Sequence, residues 1–331
     1  MLREQKDIKG IISLWAFAEC GIGGFLHALR LPFTGIFAGG VAIICIVLIG
    51  YYTNGDRKKL MEALGLVLMV KLIASPHSPW QAYVAVIFQG VVGWLLFSNL
   101  NYFKWKVLFF AVVCMLESAV QKILLSILIY GFSFFKAIDE AAINLMKHLG
   151  LGQEASIVGI IFGAYIILHL FTGIFLGLWI PKIPLQLEKV RLMIPGDFLL
   201  KTGEIIGRKK RFHPFLWSFL VFSMVILILH FTLPPSFGIN MTALFIRVVG
   251  ISLFLIFVIS PIIKFIIKRN LENQDIGKQE LKSIISVLPQ MESNAMGILT
   301  WSNNTFKGWQ KLKYFILGIL VVSMKLHQDA E

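Results

Sequence analysis

The chain has 331 residues, of which 57% are hydrophobic and 13% aromatic, and its mean hydropathy is +0.79. A soluble domain of this length could not cover so much apolar surface, so the composition excludes an ordinary water-soluble protein and predicts one that lives in a bilayer. The net charge of +13 lies between apolar stretches, which makes anionic lipid headgroups, and not nucleic acid, the expected partner.

Taken in chain order, the apolar segments are 11–29, 33–52, 60–75, 79–98, 104–132, 156–180, 214–233 and 241–267. At about 1.5 Å rise per residue most of them can cross a hydrocarbon core roughly 30 Å thick. The expected fold is therefore an all-α integral membrane protein with about eight transmembrane helices, six in a first bundle and two beyond it. The first segment contains Glu19 and lacks a small-x-small cleavage site before the next span, so it is expected to be retained and not removed as a signal sequence.

Charge sets the orientation. Arg3, Lys6 and Lys9, then Arg57, Lys58 and Lys59, then Lys104 and Lys106, and then Lys182, Lys189, Arg191, Lys201 and the run Arg208 to Arg211 all fall in alternate connections. Lys264, Lys268 and Arg269 follow the eighth segment on the same side. The positive-inside rule makes that side the cytoplasm, with both termini on it. The expected location is a plasma membrane of the bacterial inner-membrane type.

Between the spans, residues 133–153 alternate Asp139, Glu140, Asn144, Lys147 and His148 with apolar residues and read as an amphipathic helix over the outer mouth. Pro184, Pro195 and Gly196 are expected to break the basic segment 182–212 into short pieces. Leu281, Ile284, Ile285 and Leu288 predict a cytoplasmic surface helix ending near Pro289. The stretch 314–324 is too short for a crossing and is expected at the interface or against another subunit. Two domains result: a six-helix solute-binding module over 1–181, and a basic linker, two spans and a helical tail over 182–331.

No phosphate-binding loop, H-E-x-x-H zinc motif, G-x-S-x-G elbow or C-x-x-C pair occurs. The chain is accordingly not expected to be an enzyme, and energy for any active transport must come from a partner or a gradient. Cys20, Cys45 and Cys114 lie in apolar segments without ligand spacing, so neither a disulfide, a metal nor a cofactor is expected. Ala16, Cys20 and Gly24 recur every four residues and form a smooth helix face, which fits either close packing inside the chain or docking of a separate subunit. Gly35, Gly39 and Gly40 make a similar cluster in the second segment.

Candidate binding residues come from carboxylates at depth and from the outer loops. Glu117 stands near the middle of the fifth span with Cys114, Ser118 and Gln121 on nearby faces and Lys122 following. A charge there costs about 2.5–3.5 kcal/mol to insert, so it should face the protein interior. Glu19 is a second such carboxylate, and His169 with Thr172 a weaker polar pair. The third outer loop, read from Lys71 to Gln81 with its backbone preset by Pro76 and Pro79, brings Lys71, His77, Trp80 and Gln81 to one depth; the first adds His27, Arg30 and Thr34 on the same side. Trp80 also fits an interfacial anchor.

Six spans with an inside amino terminus, the Ala16, Cys20, Gly24 strip, the glycine-rich second span and the loop from Ser75 to Gln81 leading into Ala82-Tyr83 and Gln89-Gly90 resemble the substrate-binding component of energy-coupling factor vitamin transporters. The resemblance covers about residues 8–181. It implies capture of a vitamin or related micronutrient from outside, with Gln89 added to the binding residues. It further implies docking of a transmembrane scaffold subunit, and through it of ATPases, on the first helix. Cys20 and Gly24 stand where that family has alanine. The remaining 150 residues, which its members normally lack, look faintly like the scaffold subunit but show no clear arginine-containing coupling motif.

The leading expectation is an uptake protein for a vitamin-like micronutrient or precursor. A membrane enzyme of isoprenoid or lipid metabolism, using Asp197 and Glu204 beside the basic loops, is the alternative in another class. A noncatalytic assembly factor is the third.

Overall fold

The structure, a computed structural model, describes residues 2–23, 33–75, 78–148, 156–194, 241–272 and 278–326. It is all-α over these residues, with no strand among them. The seventh apolar segment, 214–233, lies outside the described residues, as do Asp197, Glu204 and the run from Arg208 to Arg211.

The first helix, α1 (Leu2–Phe17), runs on through a π-helical stretch, Ala18–Ile22. It is followed by α2 (Thr34–Tyr52), α3 (Arg57–Ala74), α4 (Trp80–Leu96), α5 (Phe103–Tyr130) and α6 (Phe132–His148). Next come α7 (Ile157–Trp179) and α8 (Ile183–Met193), joined by a 3₁₀ turn over Ile180–Lys182. The last four are α9 (Met241–Phe254), α10 (Ser260–Glu272), α11 (Lys278–Thr305) and α12 (Trp309–Leu326), with a π-helical stretch, Leu255–Ile259, linking α9 to α10.

Among the described residues, four helical stretches are long and apolar enough to cross a membrane: Thr34–Tyr52, Phe103–Tyr130, Ile157–Met193 and Thr242–Arg269. They differ in what surrounds them. Of the first, 72% is buried inside the protein, whereas the third and fourth are each 11% buried. The side chains left outside on those two are still large and apolar, Ile160, Ile161, Phe171 and Phe254, Phe257, Phe265 among them. A surface of that kind is stable against hydrocarbon and not against water. The chain is a membrane protein on this ground. Helix α4 is apolar but spans only 17 residues, and α1 carries Arg3, Glu4, Lys6, Asp7 and Lys9 in its first turns.

The described residues fall into two compact units. One comprises those within 1–115, 172–207 and 264–331; the other comprises those within 116–171 and 208–263.

In the first unit α1 is central. It packs against α2, α3, α11 and α12, while α2 packs on α4, and α3 on α4 and α11. Gly10 allows the closest approach: a Cβ there would run into the backbone of Ser323 and Met324 on α12. Gly173 and Gly177 let α7 approach the α5 backbone at Val112 and Leu108 in the same manner. The connection from α2 to α3 turns at Asn54 and Gly55, both at positive φ. Asp56 then caps α3 by accepting from the Lys58 and Lys59 amides at 2.9 and 3.3 Å.

Three expectations about the second half of the chain are corrected. The tail helix does not end at Pro289, which sits inside α11. A proline there forgoes one hydrogen bond, and burial of Ile284, Val287, Met291 and Ile298 on one face outweighs that loss. The stretch 314–324 is not a short isolated piece but part of the 18-residue α12. Leu317, Leu320, Val321 and Val322 are buried, and α12 packs on α1, α8 and α11 of its own chain. Pro184 produces no break: it occupies the first turn of α8, where its missing N–H costs nothing, and the helical path continues from α7 through one 3₁₀ turn.

The second unit contains α6, the expected amphipathic helix, now bounded at Phe132–His148. Gly131 (φ 81°) ends α5, and Arg247 of α9 donates to the Leu128 carbonyl at 3.4 Å, satisfying a helix end. Leu244 and Val248 form a small core with Ile129, Tyr130 and Phe134. Asp139 ties α6 to the start of α7: its carboxylate accepts from the Ser156 hydroxyl at 2.6 Å and the Val158 amide at 2.9 Å. Ser156 in turn accepts from the Gly159 amide at 2.8 Å.

Those donors favour the carboxylate, and the Ser156 bond foremost holds the Asp139 pKa below its ordinary value. A lowered folded pKa means the clasp is fully present above the usual aspartate range, about 3.9, and is lost as pH falls through the lowered value. Asp139→Ala is therefore expected to speed amide hydrogen exchange at residues 158–160 at neutral pH. In acid, below the lowered pKa, wild type and variant should exchange alike.

Candidate functional site

The first unit holds a buried polar core inside its apolar bundle. Glu19 and Lys71 form an ion pair there, with Lys71 Nζ 2.5 Å from Glu19 Oε2 and the two side chains 1% and 8% exposed for Lys71 and Glu19. Lys71 Nζ also donates to the Glu19 carbonyl at 3.4 Å. Burying a lone charge costs several kcal/mol, so each member is held in place by the other.

Local structure positions both. Glu19 falls on the π-helical stretch of the first helix, a wide turn of the kind that recurs at functional sites. Lys71, read from sequence as the start of an outer loop, lies instead in the last turn of α3, which continues to Ala74. Its depth comes from that extra turn.

Tyr83 of α4 closes the group. It is fully buried, donates its hydroxyl to the Ser75 carbonyl at 3.4 Å, and presents its ring to Lys71 Nζ at 5.8 Å from the centroid. Lys264 lies at the same distance from that ring. The Ser75 and Ser78 hydroxyls share a hydrogen bond of 2.8 Å, which fixes the turn into α4. Cation–π contacts of this sort are worth about 2 kcal/mol or more when water is excluded.

Gln89, two turns further along α4, is 3% exposed and reaches the α2 backbone at Gly39, where a Cβ would stand 3.2 Å from its Nε2. Its Oε1 is buried without a hydrogen-bond partner among the described residues. A buried carbonyl left unpaired costs about 1–3 kcal/mol. Native proteins retain such a group where something else uses it. The indole Nε1 of Trp80 is likewise buried without a partner among the described residues.

Of the residues expected from sequence, the structure joins Glu19 to Lys71 and Tyr83 and keeps Gln89 in the same unit. Gln81 is half-buried and has a partner, and Thr34 is buried. His27, Arg30, His77 and Gly24 lie outside the described residues. Ala16 is fully buried on a helix wrapped by this chain's own α2, α3, α11 and α12, and Cys20 is half-buried.

Glu117 and Gln121 belong to the second unit. Glu117 is half-buried, and its Oε2 has no hydrogen-bond partner among the described residues, whereas Gln121 has a partner. In the same unit, the His169 Nδ1 pairs with the Tyr165 carbonyl at 2.9 Å, and its ring lies against that of Tyr165.

Sequence reading offered Lys71 as the charge of an outer loop and Tyr83 only within the resemblance, and did not join either to Glu19. The available signal was a lysine flanked by Met69-Val70 and Leu72-Ile73, since a charge inside so apolar a run needs a buried counter-charge.

Gln89→Leu is expected to leave thermal stability in detergent unchanged or raise it by about 1 kcal/mol, because it removes, at nearly constant volume, a buried amide oxygen that is unpaired among the described residues. A clear loss of stability would mean that the amide is already satisfied within the fold.

Compared with known proteins, the chain matches no family model, no curated protein and no solved structure.

Proposed function

We propose that this protein is a membrane transport protein that takes up a small vitamin-like micronutrient or precursor, energised by separate ATPase subunits. The observation that carries the reading is the buried Glu19–Lys71 pair beside Tyr83. Ionisable groups inside membrane helices are expensive and mark solute or ion pathways by default. The unpaired carbonyl of Gln89 adds an acceptor that a polar solute can use.

The full topology belongs to this proposal: eight crossings in a plasma membrane of the bacterial type, both termini cytoplasmic, and anionic lipids around the basic connections. Residues 1–181 are then the solute-binding module, and 182–331 the appended part. The resemblance to the substrate-binding component of energy-coupling factor transporters supports this division and supplies the scaffold and ATPase partners. Because Ala16 is covered by this chain's own helices, docking falls to the outer part of the strip, around Cys20 and Gly24.

Mass spectrometry of small molecules released from the detergent-purified protein tests the function. The expected result is one copurifying polar solute at near-stoichiometric amount that is absent from a mock purification. The topology is tested by single cysteines introduced in a background lacking the three native ones. Ser236→Cys in intact cells is expected to react with an impermeant thiol reagent from outside, and Ser283→Cys is not. Labelling at position 283 would contradict the inside tail.

A further inference from the structure

The charge make-up of the buried core narrows the solute. We infer that the solute is a small zwitterion, carrying one anionic and one cationic group, and that it binds by exchanging partners with the Glu19–Lys71 pair. Its anionic group takes Lys71 Nζ, and its cationic group takes the Glu19 carboxylate. The inference rests on the uptake reading above.

Electroneutrality in a dry interior carries the argument. Both side chains are nine-tenths or more buried and in contact with each other, so neither can lose its partner without leaving a bare charge away from water. A singly charged anion arriving at Lys71 would strand Glu19, and a singly charged cation arriving at Glu19 would strand Lys71. A neutral solute has nothing with which to separate the two. A zwitterion alone supplies both replacements at once and keeps the interior neutral.

The surroundings fit that exchange. The Tyr83 ring already faces Lys71 Nζ at 5.8 Å, so it steadies the ammonium while the counter-ion changes and offers the same ring to an incoming cation. Lys264 stands as a second cation at the same distance from that ring and has an interaction of its own. Gln89, 3% exposed with its Oε1 unpaired among the described residues, supplies an acceptor for an N–H of the solute. Gly39 opposite it is what lets the Gln89 amide come up to the α2 backbone, since a Cβ there would stand 3.2 Å from its Nε2.

The test uses the full chain in detergent and two readouts. The first is thermal unfolding with a panel of L-amino acids, their N-acetyl derivatives, which are anions, and their methyl esters, which are cations. The second is the identity of any copurifying solute, which replaces the panel once known. Zwitterionic members, or a zwitterionic copurified solute, are expected to raise the melting temperature with concentration, and the singly charged derivatives are not. The double variant Glu19→Gln/Lys71→Met, which removes both charges together, is expected to fold and to bind the zwitterion roughly a hundredfold more weakly.

A bound solute with one net charge or none overturns the inference and leaves the uptake reading standing. Wild-type affinity in the double variant overturns it equally. If nothing copurifies and no member of the panel stabilises the protein, the uptake reading fails and the inference with it.

Discussion

A charge pair with nowhere else to go governs the first unit. Lys71 is nearly inaccessible and Glu19 scarcely less so, and each compensates the other at 2.5 Å. Such a pair adds little to stability compared with two well-packed apolar residues, because desolvation consumes most of the attraction. Its physical effect is on registry. The first helix and α3 must meet with residues 19 and 71 level, and Tyr83 must come in against the ammonium, which fixes where α4 enters. A protein that needed only a stable bundle would gain more from leucines at these positions.

The same helix that carries Glu19 is also the one most thoroughly enclosed. Gly10 brings it against the backbone of α12, and Leu14 and Phe17 line a crevice with Met291, Ile298 and Val322. The tail is therefore structural for the first unit and not a detachable appendage. This changes the meaning of the small-residue strip. At Ala16 the helix face that a separate subunit would need is already taken by helices of the same chain. Cys20, on the π-helical stretch, is only half-buried.

Much of this was legible in the sequence, for identifiable reasons. Long apolar runs announce membrane helices because the bilayer asks only for length and hydrophobicity, and α2, α5, α7 and α9 to α10 were found that way. The amphipathic α6 showed in its periodicity. Tertiary context decided the rest. Pro289 and Pro184 both read as breakers, yet one is carried by burial of the α11 face and the other sits where a proline fits a first turn. Lys71 was read as a loop charge although it lies inside the apolar segment 60–75, and α3, which runs to Ala74, makes it a buried helical one. Glu19 could be flagged as costly from its apolar flanks, but its partner, 52 residues away, is a property of packing that no local pattern encodes.

The central claim is that Glu19 and Lys71 act as one unit in the interior, and a double-mutant cycle on folding stability measures that directly. Glu19→Gln and Lys71→Met should each destabilise by about 3–5 kcal/mol by leaving a buried charge uncompensated, and the double variant should be more stable than either single one, giving a coupling of several kcal/mol. Single effects that merely add, with coupling below about 0.5 kcal/mol, would show that the two side chains do not depend on each other and would contradict the account.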